Sequence, residues 1–422
     1  MSDEIYAYVE RLALEAKRAS HTLSFASDDE RRDAVRAMAQ ALREGAQEVL
    51  SANEIDMRSA IQSGTDAGLL DRLRLTPERV ESMALGLEKL ADLSDPLGRV
   101  LEHRTIDQGV DLQKVSVPLG LVAMVYEARP NVTADAAGIC IRTGNACILR
   151  GGSMAQESCI AIAHILSRAL CAQGLPGAAV TIIEIPDRAA TDALMSLRGV
   201  VDVLIPRGGA GLIEHCVTHS QVPVIETGTG NCHIYVHEAA DFDKATSIVM
   251  NAKTQRVGVC NAAESLLVDE SIAQSFLPGM LSQLDGAGVL VHGDAVTRDL
   301  ADIMNFEDAT DEDWGREYLA PEMSVKCVSG LDEAIEHINR YGTGHSEAIV
   351  SEDRDACERF LREVDAAAVY ANASTRFTDG AEFGLGAEIG ISTQKLHARG
   401  PFAADALTSY KYVLRGTGQV RP

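Results

Sequence analysis

Apolar residues recur every three or four positions through the first hundred residues of the chain, which is the spacing of one buried helix face. Ser27-Asp-Asp-Glu30 is a candidate capping box, with Val35, Met38 and Leu42 on one face behind it. Thr76-Pro77-Glu78 is a second candidate helix start, with proline at the first helical position. This region is therefore predicted to be helical.

A short alternating stretch follows and predicts two strands around a turn. The strands are expected at residues 105–108 and 112–117, with Gly109 to Asp111 between them. Residues 408–414 near the C-terminus alternate in the same way. Because edge strands expose unpaired backbone groups, we expect these pieces to need a pairing partner.

From Leu121 onward, short apolar runs alternate with helical segments. Near-continuous apolar strands between helices predict parallel sheets that are covered on both faces. The strands of a first unit are expected at residues 121–126, 146–150, 180–184, 201–205 and 222–226. A second unit has expected strands at residues 233–236, 265–268, 289–291, 348–350 and 368–370. The predicted class is α/β, with two Rossmann-like parallel-sheet domains and a small β element.

Composition narrows the class of function. The formal net charge of the 422 residues is -24, so nucleic-acid binding is disfavoured, because phosphate contacts need an excess of Lys and Arg. The nine cysteines form no Cys-x-x-Cys pair, which argues against a disulfide framework and a zinc site. The acidic N-terminus lacks a signal-peptide core, and no apolar run could span a bilayer. A cytoplasmic location without a membrane partner is expected.

Glycine and arginine are frequent in the loops that follow the predicted strands of the first unit. The loops at residues 127–131, 151–153, 206–209 and 227–231 are all expected at the carboxyl edge of the sheet. Such turns let backbone N–H groups approach phosphate oxygens. Most glycines serve only as turn residues, but four such loops on one edge favour a phosphate-bearing ligand. The lack of a Gly-x-Gly-x-x-Gly motif argues against an ordinary Rossmann dehydrogenase.

Cys260 is the strongest candidate for chemistry in the second unit. Lys253 and Arg256 precede it and could favour the thiolate, which is the nucleophilic form. On local sequence alone, a buried apolar thiol is the more common alternative. Asn131 and Glu226 end predicted strands of the first unit. An amide could stabilise an oxyanion there, and a carboxylate could assist proton transfer.

Motifs in a fixed order resemble the aldehyde dehydrogenase superfamily. Asn131, Glu226-Thr-Gly, Cys260 and Glu317-Tyr-Leu-Ala-Pro321 match its oxyanion asparagine, its glutamate before a glycine loop, its nucleophile and its ribose-binding glutamate. Essentially the whole chain is similar to the gamma-glutamyl phosphate reductase family within it. The blocks that carry this similarity are residues 118–135, 205–209, 226–233 and 383–401.

The resemblance implies reduction of L-glutamyl 5-phosphate by NADPH to L-glutamate 5-semialdehyde and phosphate, a step of proline biosynthesis. Cys260 would form a thioester, and Asn131 with the Cys260 N–H would hold the oxyanion. The match of Glu226 is looser, because Thr-Gly-Thr-Gly follows it. A hydrolytic NAD(P)-dependent aldehyde dehydrogenase and an inactive nucleotide-binding scaffold of the same fold are the alternatives.

The resemblance also assigns binding residues. Arg150 replaces the usual lysine of the superfamily, and a guanidinium suits a 2′-phosphate, which favours NADP(H). The implied cofactor-binding residues are Arg150, Gly151, Ser153, Arg207, Gly208, Gly209, Gly228 and Glu317. The implied substrate-binding residues are Arg129, Arg256, His397 and Arg399, with Arg376 and Lys395 as further candidates. No metal is expected.

Three domains and a homo-oligomer are implied. Residues 1–104 and 119–231 would bind NADP, and residues 232–380 would form the catalytic domain. Residues 105–118 and 381–422 would form a hairpin and C-terminal oligomerisation element. The family arrangement pairs these strands between subunits, so at least a dimer is expected. Glutamate kinase could hand over the substrate by channelling.

Overall fold

The computed structural model describes residues 2–385 and 388–421, which pack into two compact units. Unit 1 comprises Met1–Thr227, Gly384–Gly390 and Phe402–Pro422. Unit 2 comprises Gly228–Phe383 and Ile391–Pro401. The functional domains named above stay a prediction, since packing alone assigns no function to either unit.

The N-terminal part of unit 1 is helical, as predicted. Ser27 Oγ accepts a hydrogen bond from the Glu30 N–H, and the Glu30 carboxylate accepts one from the Ser27 N–H, which confirms the capping box. Thr76 caps a later helix that begins at Pro77. The helices are α1 (Ser2–Leu23), α2 (Asp28–Glu44), α3 (Ala46–Gln62), α4 (Ala67–Leu73) and α5 (Pro77–Ala91).

A three-stranded antiparallel sheet follows in unit 1. It contains β1 (Val100–Thr105), β2 (Asp111–Pro118) and the last strand of the chain, β16 (Thr408–Arg415), with β2 in the centre. The first predicted strand, at residues 105–108, was misplaced: only Thr105 belongs to β1, and residues 106–109 form the hairpin turn, where Gly109 has a φ of 76°. All six residues of β1 are exposed, so no apolar alternation marks the strand in the sequence.

The main sheet of unit 1 has four parallel strands in the order β5-β4-β3-β6. Its strands are β3 (Leu121–Tyr126), β4 (Ala146–Gly151), β5 (Val180–Ile182) and β6 (Val203–Arg207), with helices α6 (Asn131–Arg142), α7 (Gln156–Ala172), α8 (Ala189–Ser196) and α9 (Ala210–His219). The predicted strand at residues 222–226 was wrong. Only a single bridge joins Val224 to Leu204, because Pro223 has no N–H to continue a ladder.

Unit 2 holds a seven-stranded parallel sheet in the order β10-β9-β11-β8-β7-β12-β13. Its strands are β7 (Cys232–Val236), β8 (Ala263–Asp269), β9 (Leu290–Gly293), β10 (Phe306–Asp308), β11 (Glu322–Val328), β12 (Ser346–Val350) and β13 (Ala368–Ala371). Its helices are α10 (Phe242–Thr254), α11 (Glu270–Gly286), α12 (Ala295–Leu300), α13 (Leu331–Tyr341) and α14 (Arg354–Glu363). Two short strands, β14 (Gly390–Ser392) and β15 (Gly400–Phe402), pair with each other.

Alternate residues of the unit 2 strands fill two cores, one on each face of the sheet. Ile234 and Leu266 pack with Phe276 of α11. Their neighbours Tyr235 and Leu267 pack with the residues of α13 and α14 on the opposite face. The expected α/β fold, with two parallel sheets and a small antiparallel sheet, is thus confirmed. Among the described residues, no helix has the length and apolar content needed to cross a membrane.

Candidate active site

The predicted cofactor loops of unit 1 begin side by side at one sheet edge. Tyr126 at the end of β3 pairs with Gly151 of β4 and with Arg207 of β6. A Cβ on Gly151 would lie 2.9 Å from Cys159 Sγ, and one on Gly152 would lie 3.2 Å from Glu127 Cα. The glycines therefore allow the loops to pack this closely. The loops at residues 127–131, 151–153 and 206–209 lie at the carboxyl edge as predicted, but the loop at residues 227–231 does not follow a strand of this sheet.

Two of the helices that start at this edge, α7 and α9, differ at their N-termini. At α7, Asp56 accepts hydrogen bonds from the Ser158 N–H at 2.9 Å and from Ser158 Oγ at 2.6 Å. At α9, no described side chain caps the helix through Gly209, but the Gly209 N–H donates to Oε2 of the exposed Glu127 at 2.8 Å. An incoming anion could displace Glu127 far more readily than the buried Asp56.

Arg150, at the end of β4, is buried and bound to backbone carbonyls. Its Nη1 donates to Gly151 O at 3.1 Å and its Nη2 to Pro186 O at 2.9 Å. Burial lowers its pKa, and the positive charge of Arg188 lowers it further. Sequence reasoning missed Arg188, although its position just beyond β5 could have revealed it by the same edge rule.

Asn131 opens α6 with its side chain exposed. Its Nδ2 donates to Asp135 Oδ2, one helical turn further on, at 3.1 Å. Burial raises the pKa of Asp135 to about 6. Arg129 and Glu226, two further predicted polar residues of this unit, are both partly exposed. An amide that has one N–H bound and one N–H left over can donate to a further oxygen.

In unit 2, the nucleophile candidate Cys260 lies on a turn with fixed neighbours. The Ala262 N–H donates to Val259 O at 3.1 Å, which closes the turn. The next residue, Asn261, is buried, and its Nδ2 donates to Thr378 O at 2.9 Å. Cys260 itself is partly exposed. The turn therefore holds the backbone and leaves the thiol accessible.

Most other thiols of the chain differ from Cys260 in exposure. Cys171 is exposed, and the remaining seven are buried. Burial raises the pKa of Cys216 to about 11 and of Cys327 to about 12. Such thiols stay protonated at neutral pH and are poor nucleophiles.

The glycine loop before β7 packs directly on the nucleophile turn. A Cβ on Gly230 would lie 1.5 Å from Cys260 O, so only glycine fits there. The Gly230 N–H donates to Glu317 Oε1 at 2.7 Å, and burial raises the pKa of Glu317. Gly228 is similarly crowded, since a Cβ there would lie 2.5 Å from Thr393. The structure thus brings Gly230, Glu317 and Cys260 together.

The expected action of Lys253 on the Cys260 thiol is not supported. Lys253 is fully buried, and its Nζ donates to the equally buried Glu264 at 2.5 Å, so its charge is already paired. Burial raises the pKa of Glu264 to about 7. Glu264 also accepts the N–H of Leu319, which has a left-handed φ of 54°. This network fixes the loop that carries Glu317.

Two arginines share the surroundings of Cys260. Arg256 is exposed, whereas Arg376 is partly buried and donates from Nε to Gln255 Oε1 at 2.9 Å. Burial lowers the pKa of Arg376, and the charge of Arg256 lowers it further, while Cys260 acts in the opposite direction. Arg376 therefore joins Arg256 as a candidate ligand for an anion.

The basic residues near the C-terminal glycine loop already have a partner. Asp365 forms ion pairs with both Lys395 and Arg399, the latter at 2.8 Å, and these bonds lower the pKa of Asp365. His397 between them is exposed. Substrate binding by His397 and Arg399 stays a prediction, and it would require sharing or releasing Asp365.

Comparison with known proteins identifies the family. The model of the aldehyde dehydrogenase family matches residues 3–295 and 306–398. The chain belongs to the aldehyde dehydrogenase family. This family consists of oxidoreductases, and the resemblance found in the sequence motifs is confirmed.

Relatives within the aldehyde dehydrogenase family cover nearly the full chain. A gamma-glutamyl phosphate reductase from Clostridium beijerinckii is 52% identical over 406 residues, covering 96% of this chain and 98% of its own. One from Caldanaerobacter subterraneus subsp. tengcongensis is 50% identical over 413 residues, covering 98% and 99%.

Solved structures of the same family agree in fold. A gamma-glutamyl phosphate reductase from Thermotoga maritima superimposes with a TM-score of 0.96 at 44% identity, covering 98% of this chain and 100% of its own. An acetylating aldehyde dehydrogenase from Geobacillus thermoglucosidasius gives a TM-score of 0.70 at 21% identity, covering 100% and 99%. The second likeness concerns the fold alone.

Proposed function

We propose that this chain reduces L-glutamyl 5-phosphate with NADPH to L-glutamate 5-semialdehyde and phosphate, through a thioester on Cys260. The observation that carries the proposal is a partly exposed thiol on a fixed turn, in a chain half identical, end to end, to gamma-glutamyl phosphate reductases. The product would serve proline biosynthesis.

The carboxyl edge of unit 1 fits a dinucleotide phosphate. Glu127 Oε2 accepts the Gly209 N–H where a phosphate oxygen would bind, and Arg207 Nε is buried without a hydrogen-bond partner among the described residues. We assign phosphate binding to the loops of Gly151, Ser153, Arg207, Gly208 and Gly209. Gly228 and Glu317 keep their proposed cofactor roles from the family motifs.

The preference for NADP(H) is proposed from two neighbouring arginines. Arg150 lies near the end of β4 and Arg188 follows β5, and a guanidinium can bind a phosphate through parallel hydrogen bonds. After burial, the charge of Arg188 lowers the pKa of Arg150, while Asp187 and Glu127 act in the opposite direction, which indicates two close positive charges that a further anion would stabilise. A 2′-phosphate supplies such an anion, and the 2′-hydroxyl of NAD does not.

The first chemical step uses Cys260 as nucleophile. Its thiolate attacks the acyl carbon, the C–O bond to phosphate breaks, and phosphate leaves with the bonding electrons. We assign the oxygen anion formed in this step to the Asn131 amide and the Cys260 N–H as donors. Arg256 and Arg376 are the proposed partners of the leaving phosphate or the substrate carboxylate.

The second step reduces the thioester. A bound nicotinamide supplies the hydride. The same donors stabilise the oxygen anion again, and its collapse expels the Cys260 thiolate and releases the aldehyde. Hydride, and not water, cleaves the thioester in this reaction, and hydrolysis would waste the acyl group. We therefore assign Glu226 no role in activating water. Its proposed role is confined to the cofactor side.

We also propose that the chain forms a homo-oligomer through its three-stranded sheet. Both outer strands, β1 and β16, pair only with β2 among the described residues, and Leu101, Tyr410, Tyr412 and Leu414 on them are exposed. An unpaired, partly apolar edge favours pairing with another copy. Light scattering should give at least a dimer, and a monomer would contradict this part of the proposal.

The reaction is tested in reverse, with L-glutamate 5-semialdehyde and NADP⁺. Steady-state NADPH formation should rise with added phosphate and stop without it, because phosphate must accept the acyl group. Turnover that needs no phosphate would instead support the hydrolytic alternative. Replacing NADP⁺ by NAD⁺ should lower kcat/KM, and a preference for NAD⁺ would overturn the roles of Arg150 and Arg188.

A further inference from the structure

Asp135 is the exception on an otherwise buried helix. Along α6 from Val132 to Arg142, every residue is buried except Asp135, which is partly exposed. Burial raises the pKa of Asp135 to about 6, so its charge is held at a cost. The hydrogen bond from Asn131 opposes the effect of burial and stabilises the ionised carboxylate.

The contact removes an ambiguity in the Asn131 side chain. An asparagine amide has a donor end and an acceptor end of nearly equal size, and only the donor end stabilises an oxyanion. An ionised carboxylate accepts hydrogen bonds and donates none. Because Asp135 Oδ2 accepts from Asn131 Nδ2 at 3.1 Å, it selects the amide orientation in which Nδ2 lies on its side.

The bond leaves the amide able to act. Nδ2 carries two hydrogens, and the contact with Asp135 uses one of them. The spacing of four residues places both side chains on the same face of α6, which makes the contact a property of the helix itself. The second N–H therefore keeps a fixed direction.

We infer that Asp135 is a positioning residue that holds the Asn131 amide with its donor end available to the reacting oxygen. The inference rests on the proposed function, since it takes the oxyanion role of Asn131 from there. Asp135 itself touches neither substrate nor cofactor in this account, and it acts only through Asn131.

A competing role for Asp135 would run through Arg207. The charge of Arg207, on β6, is the positive charge that lowers the pKa of Asp135, against the larger effect of burial. From α5, Gly86 faces Asp135 Oδ1, since a Cβ there would lie 3.9 Å from it. If Asp135 served Arg207, its loss would weaken binding of NADPH and leave the chemical step unchanged.

A double-mutant cycle on the full-length enzyme separates these roles. We expect Asp135→Ala to lower kcat about tenfold with the KM for NADPH unchanged, because one orienting hydrogen bond is lost. Asp135→Asn keeps an acceptor but adds a donor, so kcat should lie between those of Asp135→Ala and the wild type. In an Asn131→Ala background, Asp135→Ala should have no further effect, because its target is gone.

The chain offers a matched control on another helix. Gln40 Nε2 donates to Glu44 Oε1 at 2.9 Å on α2, which is the same amide-to-carboxylate contact over four residues. Glu44→Ala should leave kcat unchanged. If Asp135→Ala does not fold by circular dichroism, Asp135→Ser, whose shorter side chain cannot reach the amide, replaces it in the cycle.

Four results would overturn the inference. Equal losses from Asp135→Ala with and without Asn131 would show independent action, and a raised KM for NADPH at unchanged kcat would assign Asp135 to Arg207. An unchanged kcat in Asp135→Ala, while Asn131→Ala is impaired, would leave the proposed function intact and remove only Asp135. An unimpaired Asn131→Ala would overturn the oxyanion assignment itself.

Discussion

The two parallel sheets use opposite edges. In unit 1 the candidate residues follow the strands, as Asn131 follows β3 and Gly209 follows β6. In unit 2 they precede the strands, as Gly230 precedes β7, Cys260 precedes β8 and Glu317 precedes β11. The rule that ligands bind beyond the carboxyl ends of strands therefore describes the proposed cofactor site and fails for the nucleophile.

The carboxyl edge of the unit 2 sheet holds a cavity, but Gly230, Cys260 and Glu317 lie at the opposite edge. A cavity of about 560 Å³ lies at the carboxyl ends of β7, β8 and β11. Most of its lining residues are polar or acidic; the full lining is His237, Glu238, Asp269, Glu270, Ser271, Ser329, Gly330 and Leu331. Edge geometry alone would select this cavity, so motif content and packing on Cys260 are needed to place the chemistry.

The buried residues next to the two sheet edges also differ. All six residues of β3 in unit 1 are buried and apolar. Behind the nucleophile turn of unit 2, the pairs Lys253–Glu264 and His233–Glu347 are completely buried. Such pairs contribute little net stability but define one arrangement of the loops they hold. We therefore expect the nucleophile turn of unit 2 to depend on buried ion pairs, whereas the start of α9 in unit 1 depends on the exposed carboxylate of Glu127.

The largest expected effect comes from Cys260→Ser. It should lower kcat by at least about a thousandfold, because the serine hydroxyl is much less acidic than a thiol and no described group replaces Cys260 as the nucleophile. The matched control is Cys171→Ser, which removes an exposed thiol from unit 1 and should leave kcat unchanged. Initial-rate assays decide this, and activity retained in Cys260→Ser would place the chemistry elsewhere.

Lys253→Met should destabilise unit 2 by about 3–5 kcal/mol, because it leaves Glu264 buried without its partner. The chain has one tryptophan, Trp314, which lies in unit 2, so its fluorescence in a urea titration reports this unit. Lys326→Met is the control, since its ion pair with Glu333 is partly exposed and should contribute less than about 1 kcal/mol. Equal losses in both variants would contradict the buried-charge account.

Acid should weaken unit 2 through its buried histidines. Burial lowers the pKa of His337 to about 3 and of His345 to about 4. Below the usual histidine pKa of 6.5, the unfolded chain therefore binds more protons than the folded chain. Stability is therefore full above about pH 6.5 and falls as the pH drops toward these values. Protonation of each histidine on unfolding should lower the free energy of unfolding by about 2 kcal/mol at pH 5.

His337→Phe isolates one of these contributions. The ring packs against Trp314, and its buried Nε2 has no hydrogen-bond partner among the described residues, so phenylalanine should be tolerated at pH 7.5. Urea titrations followed by Trp314 fluorescence should show a shallower loss between pH 6.5 and pH 5. An unchanged pH dependence would mean that His337 takes up no proton on unfolding.

The smallest expected effect concerns the exposed edge of unit 1. Glu127→Gln should lower the KM for NADPH about two- to fivefold, because a carboxylate no longer competes with phosphate at the start of α9. Glu270→Gln makes the same change at the carboxyl edge of unit 2 and should alter neither KM nor kcat. A raised KM in Glu127→Gln would show that the carboxylate assists cofactor binding.

Sequence patterns predicted the fold where burial follows apolar periodicity. They missed β11, a central strand of unit 2, because Ser324 and Lys326 interrupt its apolar run. Ser324 is nonetheless buried and bonded to Ser265 at 2.7 Å, and Lys326 pairs with Glu333. Partners distant in sequence make such polar positions compatible with a core, and a local pattern cannot reveal them.

The same limit applies to the site. Motifs indicated Cys260, Asn131 and the glycine loops, because each is marked by residue type and order. The position of Lys253 close to Cys260 in sequence suggested that it favours the thiolate. Its charge is instead paired with Glu264 on the following strand. The ion pairs of Lys395 and Arg399 with Asp365 depend likewise on tertiary contacts that no spacing rule encodes.

In the proposed reaction, the thioester on Cys260 reacts with phosphate or hydride, and not with water. Rapid mixing of the enzyme with L-glutamate 5-semialdehyde and NADP⁺, without phosphate, tests it directly. We predict a burst of about one equivalent of NADPH per active chain that then stops, with steady turnover restored by phosphate. Continued NADPH formation in the absence of phosphate, or the lack of any burst, would contradict the account.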